Sequence, residues 1–136
     1  MKFLIIEDSP LMAVVLQDLI DKFPYSGAKE AVVFANAEDA LRYLQEIGTD
    51  TAALPNLVIL DLELPGQHGL EFLKTFKNQE LWKSIPVIIN STSKKKEDVL
   101  GAYKQGGLIF LRKENDPAAF TEVLHQLIVA GLLKAS

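Results

Sequence analysis

Leu57-Val58-Ile59-Leu60-Asp61-Leu62 is an apolar run broken by a single carboxylate, and its reading sets the reading of the whole chain. Its four leading residues do not alternate with polar ones. Both faces of the extended segment therefore need cover, as in a strand at the centre of a parallel sheet. A carboxylate inside such a run is costly unless something pairs with it, although an Asx turn would also accommodate Asp61. Working outward, the same kind of run recurs at Phe3–Ile6, Ala31–Phe34, Val87–Ile89 and Leu108–Leu111.

Segments of helical period lie between these runs. Met12, Val15, Leu16, Leu19, Ile20 and Phe23 form one apolar stripe. Ala37, Ala40, Leu41, Leu44 and Ile47 form a second, opened by Asn36 as an N-cap. Gly69, Phe72, Leu73 and Phe76 form a third. The fourth, from Lys96 to Gln105, is the weakest, with only Val99, Ala102 and Tyr103 on one side. Phe120, Val123, Leu124, Leu127 and Ile128 form the last, behind Asp116-Pro117 as cap and first-turn proline. Strand and helix thus alternate five times, which predicts an α/β domain with a parallel sheet covered on both faces.

Composition agrees with one globular domain. The chain has 136 residues, of which 49% are hydrophobic and 24% charged. At that length roughly two-thirds of the surface of the unfolded chain is buried on folding. The absence of cysteine excludes a disulfide scaffold, a thiolate metal site and a cysteine nucleophile. Fourteen Lys and Arg against eighteen Asp and Glu give a net charge of -4, which disfavours non-specific nucleic-acid binding. No apolar run approaches the roughly 20 residues that span a bilayer, and Glu7-Asp8 follow the first run too soon for a signal peptide. The expectation is a cytoplasmic protein spanning residues 1–136 as a single domain without an output domain.

In doubly wound sheets, ligands bind outside the carboxyl ends of the strands. Those ends carry Glu7-Asp8, Asp61, Ser91-Thr92 and Arg112-Lys113, whereas the second strand ends in Ala35-Asn36. Taken singly, Asp8 would serve as a cap for a helix opening at Ser9-Pro10, Ser91 as a loop hydroxyl and Lys113 as solvated surface. Taken together, they are three carboxylates, a hydroxyl and an amine delivered to one edge. Crowded carboxylates raise one another's pKa unless a cation intervenes. A hard divalent ion such as Mg²⁺ suits all-oxygen ligands, and zinc does not suit this set. Such a set is equipped for phosphoryl transfer, with Asp61 attacking in line while Lys113 and Ser91 contact the phosphoryl oxygens.

Over residues 2 to about 133 the chain resembles the receiver domain of two-component response regulators. The segments that carry the resemblance are Phe3-Leu4-Ile5-Ile6-Glu7-Asp8-Ser9, Leu60-Asp61-Leu62-Glu63-Leu64-Pro65-Gly66-Gln67-His68-Gly69, Pro86-Val87-Ile88-Ile89-Asn90-Ser91-Thr92-Ser93 and Gly106-Gly107-Leu108-Ile109-Phe110-Leu111-Arg112-Lys113. The resemblance implies a flavodoxin-like (βα)5 fold with strand order 2-1-3-4-5. It implies that Asp61 accepts a phosphoryl group from a histidine kinase or histidine phosphotransfer protein. Mg²⁺, for which Mn²⁺ can substitute, would sit on Asp8, Asp61 and the backbone carbonyl of Glu63, with Glu7 acting through water. Ser91 and Lys113 would contact the phosphoryl group. Ser91 and Phe110 would form the switch that reshapes the face of the fourth helix, fifth strand and fifth helix, where a downstream protein docks. A monomer or weak homodimer follows, without nucleic-acid or membrane binding, and without enzymatic activity beyond the chain's own phosphorylation and dephosphorylation.

Three positions depart from the family pattern: Glu114 replaces a proline usually held in a cis peptide, Thr92 replaces a smaller residue, and Gly106-Gly107 replaces Gly-Ala. Glu114 predicts a different course for the loop carrying Lys113. Glu114 and Thr92 leave room for a second reading, a constitutive binding module with a receiver fold, against which the retention of all five site residues speaks. A haloacid-dehalogenase-type phosphatase is a poorer match, because its nucleophile follows the first strand. Lys94-Lys95-Lys96 reads as a solvated helix start, His68 as an exposed loop residue and Leu81-Trp82 as a packing anchor for the loop that follows.

Overall fold

The computed structural model describes residues 1–114 and 116–133; residue 115 and residues 134–136 of the expected 1–136 domain lie outside the described part. Five strands alternate with five helices: β1 (Lys2–Ile6), α1 (Pro10–Lys22), β2 (Glu30–Phe34), α2 (Ala37–Ile47), β3 (Leu57–Leu60), α3 (Gly69–Lys77), β4 (Val87–Ser91), α4 (Lys96–Lys104), β5 (Ile109–Arg112) and α5 (Pro117–Val129). The strands are all parallel, in the order β2-β1-β3-β4-β5. The expected fold is therefore the observed one. β1 and β2 each begin one residue earlier than the pattern indicated, β4 runs on to Ser91, β5 is displaced by one to Ile109–Arg112, and a short 3₁₀ turn at Thr51–Ala53 interrupts the connection from α2 to β3.

Side-chain alternation along the central strands feeds two separate cores. Leu4, Ile6, Val58, Leu60, Val87 and Ile89 point to the layer of α2, α3 and α4, where Phe72, Phe76 and Trp82 stack in series with ring centroids 5.6 Å apart at each step. Phe3, Ile5, Leu57, Ile59 and Ile88 point to the layer of α1 and α5. Of the expected anchor Leu81-Trp82, only Trp82 is buried; Leu81 is exposed and does not anchor the loop.

The caps are local and mostly legible. Asn36 accepts from Asp39 N–H at the start of α2, and Asp116 accepts from Ala118 N–H ahead of Pro117 in α5. Two expectations need correction. The cap of α1 is Ser9, whose hydroxyl accepts from Met12 N–H, so the possible capping role for Asp8 does not apply. His68 is half-buried, and its Nδ1 accepts from Leu70 N–H to cap α3. At Gly69 the helix start touches the strand directly: its N–H donates to Leu62 carbonyl at 2.9 Å, and a Cβ there would lie 2.5 Å from the Asp61 carbonyl oxygen.

The fourth helix is the least embedded. Only Ala102 of α4 is buried, while Leu100 and Tyr103 are largely exposed. Of the three residues predicted for its inner face, Tyr103 instead lies over the open edge of β5, where its hydroxyl accepts from Phe110 N–H. Lys94, Lys95 and Lys96 are exposed, as a solvated start requires.

Candidate functional site

Parallel pairing brings the carboxyl ends of β1, β3, β4 and β5 to one edge. Glu7 and Asp61 follow directly after β1 and β3, and Lys113 follows β5. Glu7, Asp8 and Asp61 each offer a carboxylate oxygen, and these oxygens lie within 4.8 Å of one another; Glu7 and Asp61 are buried and Asp8 is exposed. Such a set of hard oxygen donors with one open side fits a divalent cation that keeps part of its water.

Lys113 supplies the countercharge. Its Nζ lies 2.8 Å from Glu7 and 3.1 Å from Asp61 Oδ2. Burial pushes the Glu7 carboxyl up, and the neighbouring Asp61 adds to this, against the lowering effect of its hydrogen bond from Lys113. Burial alone would lower the Lys113 ammonium, but its hydrogen bonds to Glu7 and Asp61 outweigh that, and the net shift is upward from 10.5. Backbone donors complete the frame. Ser9 N–H donates to Glu7 Oε1 and Glu63 N–H to Asp61 Oδ1, both at 3.1 Å.

The remaining predicted residues are distributed around this cluster. Ser91 is fully buried at the end of β4, and its hydroxyl accepts from Ser93 N–H rather than reaching a carboxylate. Phe110 is half-buried against the α2–α3–α4 core. Glu63 points its carboxylate outward, where it accepts from Thr92 Oγ1 at 2.8 Å. Glu114 forms a trans peptide with Lys113, since no cis bond occurs among the described residues, and Lys113 still reaches both carboxylates. Two participants were not singled out from the sequence as a pair. Ser93 Oγ donates to Asp98 and accepts from Lys95 N–H, which ties the start of α4 to the residue next but one from Ser91. No local capping signature announces them, because the two residues are five positions apart and the cap position of α4 is Lys95.

The sequence matches the family described as "Response regulator receiver domain" over residues 3–125. The chain belongs to this family. The receiver is 31% identical over 124 residues to the nitrate/nitrite response regulator protein NarL of Escherichia coli (strain K12), which covers 90% of this chain and 52% of that protein. It therefore spans about half the length of that relative. It is 29% identical over 114 residues to response regulator Rcp1 of Synechocystis sp., covering 83% of this chain and 76% of the relative. The crystal structure of an Mn²⁺-bound form of Rcp1 superposes with a TM-score of 0.78 at 25% identity, covering 99% of this receiver and 96% of that chain. The phosphorylated cyanobacterial phytochrome response regulator RcpA superposes with a TM-score of 0.79, also at 25% identity and with the same coverage. Among the receiver's described residues, no helix is long and apolar enough to cross a membrane.

Proposed function

We propose that this receiver takes a phosphoryl group onto Asp61 from a phosphohistidine of a histidine kinase or phosphotransfer protein, and signals through changed protein–protein contacts. The observation that carries the reading is the convergence of Glu7, Asp8 and Asp61 with the Lys113 ammonium between two of them. The Asp61 carboxylate attacks phosphorus in line, the P–N bond breaks, and the imidazole leaves as the acyl phosphate forms. Lys113 is within reach to stabilise the phosphoryl oxygens, and Glu63 N–H holds the attacking carboxylate in place. Asp8, Asp61, the Glu63 carbonyl and, through water, Glu7 would hold Mg²⁺ or Mn²⁺, which supplies neutralisation of the transferring charge. The Mn²⁺-bound state of Rcp1 supports this choice of ion.

In this reading the Ser91 hydroxyl turns toward the phosphoryl group and Phe110 follows, shifting the population of the α4–β5–α5 face toward a form that a cytoplasmic partner prefers. The exposed Leu100 and Tyr103 on α4 suit that face to docking. The protein carries no separate enzymatic activity. The test is intact mass after incubation with acetyl phosphate and Mg²⁺, on the parent and on Asp61→Asn. A gain of one phosphoryl group that needs Mg²⁺ and disappears in Asp61→Asn is expected. A parent that gains nothing while still binding Mg²⁺ overturns the reading in favour of a constitutive binding module.

A further inference from the structure

On the other face of the sheet, Asn90 of β4 points to the layer of α1 and α5, in the row of Ile88. It is 6% exposed, and its side-chain amide has no hydrogen-bond partner among the described residues. The amide is not sealed into the layer, because its polar atoms reach solvent, and Asn90 lines a cleft where water or a ligand's polar group can pair with it. Asn90 lines a half-open cleft of about 50 Å³, with Val15, Leu16 and Leu19 of α1, its register partner Leu111 of β5, and Phe120 of α5. That volume exceeds several times what one water needs. The charged lining is mixed in sign: Arg112 and Asp116 carry opposite charges, and the Lys113 ammonium is committed to Glu7 and Asp61.

We propose that this cleft is a binding site for a small neutral ligand with a short branched apolar body and one hydroxyl or primary amide, the polar group pairing with the Asn90 amide. The aliphatic lining selects the body, the Asn90 amide supplies donor and acceptor for one polar group, and lining charges of both signs disfavour an ion. Because Lys113 also borders the cleft, an occupant touches the residue that pairs with Asp61 at the acceptor site. The assignment stands apart from phosphorylation and is tested with no phosphoryl donor present.

The probe is isobutanol, titrated to tens of millimolar into the full chain and followed by NMR of side-chain amides and methyl groups; a ligand of so few atoms binds weakly at best. The expected result is one saturable isotherm shared by the Asn90 amide and the methyls of Val15, Leu19 and Leu111. Asn90→Leu, which fills the cleft, and Asn90→Ala, which keeps the space but not the amide, should each weaken binding by about tenfold or more. Absence of a saturable shift in the parent overturns the proposal. So does an isotherm at the methyls that the Asn90 amide does not share, which decides the matter without the variants. Undiminished binding by Asn90→Ala overturns the role of the amide and with it the ligand class.

Discussion

At the scale of single residues the site is a balance of charge held in a small volume. Lys113 stands between two buried carboxylates, and its removal leaves both without a countercharge. Lys113→Met should therefore cost about 3–5 kcal/mol in metal-free urea unfolding at neutral pH, far more than loss of a surface ion pair. The pH dependence has a definite sign. A carboxyl whose folded-state pKa is raised adds stability below its unfolded pKa and loses it as pH rises through the folded value. Glu7 is already raised in the parent, from an ordinary 4.5, and loses its lowering partner in the variant. The deficit of Lys113→Met should thus shrink as pH is lowered toward the carboxylate range. At neutral pH, millimolar Mg²⁺ should recover part of the loss by binding the folded state alone, which the same unfolding curves would register.

At the scale of elements, strands and helices were legible because each obeys its own period with few competing signals. The buried runs around Ile5 and Ile59 could only be central strands, and Asn36 and Asp116 announced their helices by cap chemistry. The convergence of Glu7, Asp8, Asp61 and Lys113 was legible too, because parallel pairing brings strand ends to one edge whatever the loops do. What the sequence concealed is what depends on side-chain direction. Ser9 and Asp8 are equally good caps on paper, and only the course of the loop gives the task to Ser9. Tyr103 fits the inner face of α4 by period, yet its hydroxyl is satisfied at the edge of β5, where Phe110 N–H has no neighbouring strand to receive it. Tyr103→Phe should accordingly cost only about 0.5–1 kcal/mol, since water can replace the hydroxyl in part. Hydrogen exchange of the Phe110 amide should speed up markedly, while amides of β3 stay protected. Unchanged exchange at Phe110 would mean that this contact does not hold the edge.

At the scale of the whole molecule, one sheet separates two cores that share a backbone but few side chains. The α2–α3–α4 side contains the aromatic series Phe72, Phe76 and Trp82, fully buried at its first two members. Phe76→Ala should cost about 3–5 kcal/mol by leaving a cavity between two rings that cannot close over it, measurable as a lowered Tm by calorimetry. The carboxylate cluster sits at the strand ends, where Lys113 links it to the cleft beside α1 and α5. The joint at Gly69 adjoins this cluster. There, α3 is geared to the strand end by bare backbone, with room for a hydrogen and nothing larger. A methyl group inserted at that point would act as a wedge, and the wedge opens on the residue that carries the acceptor. The strictest requirement on the acceptor loop is therefore imposed by a residue with no chemistry of its own, whose tolerance is set by clearance alone.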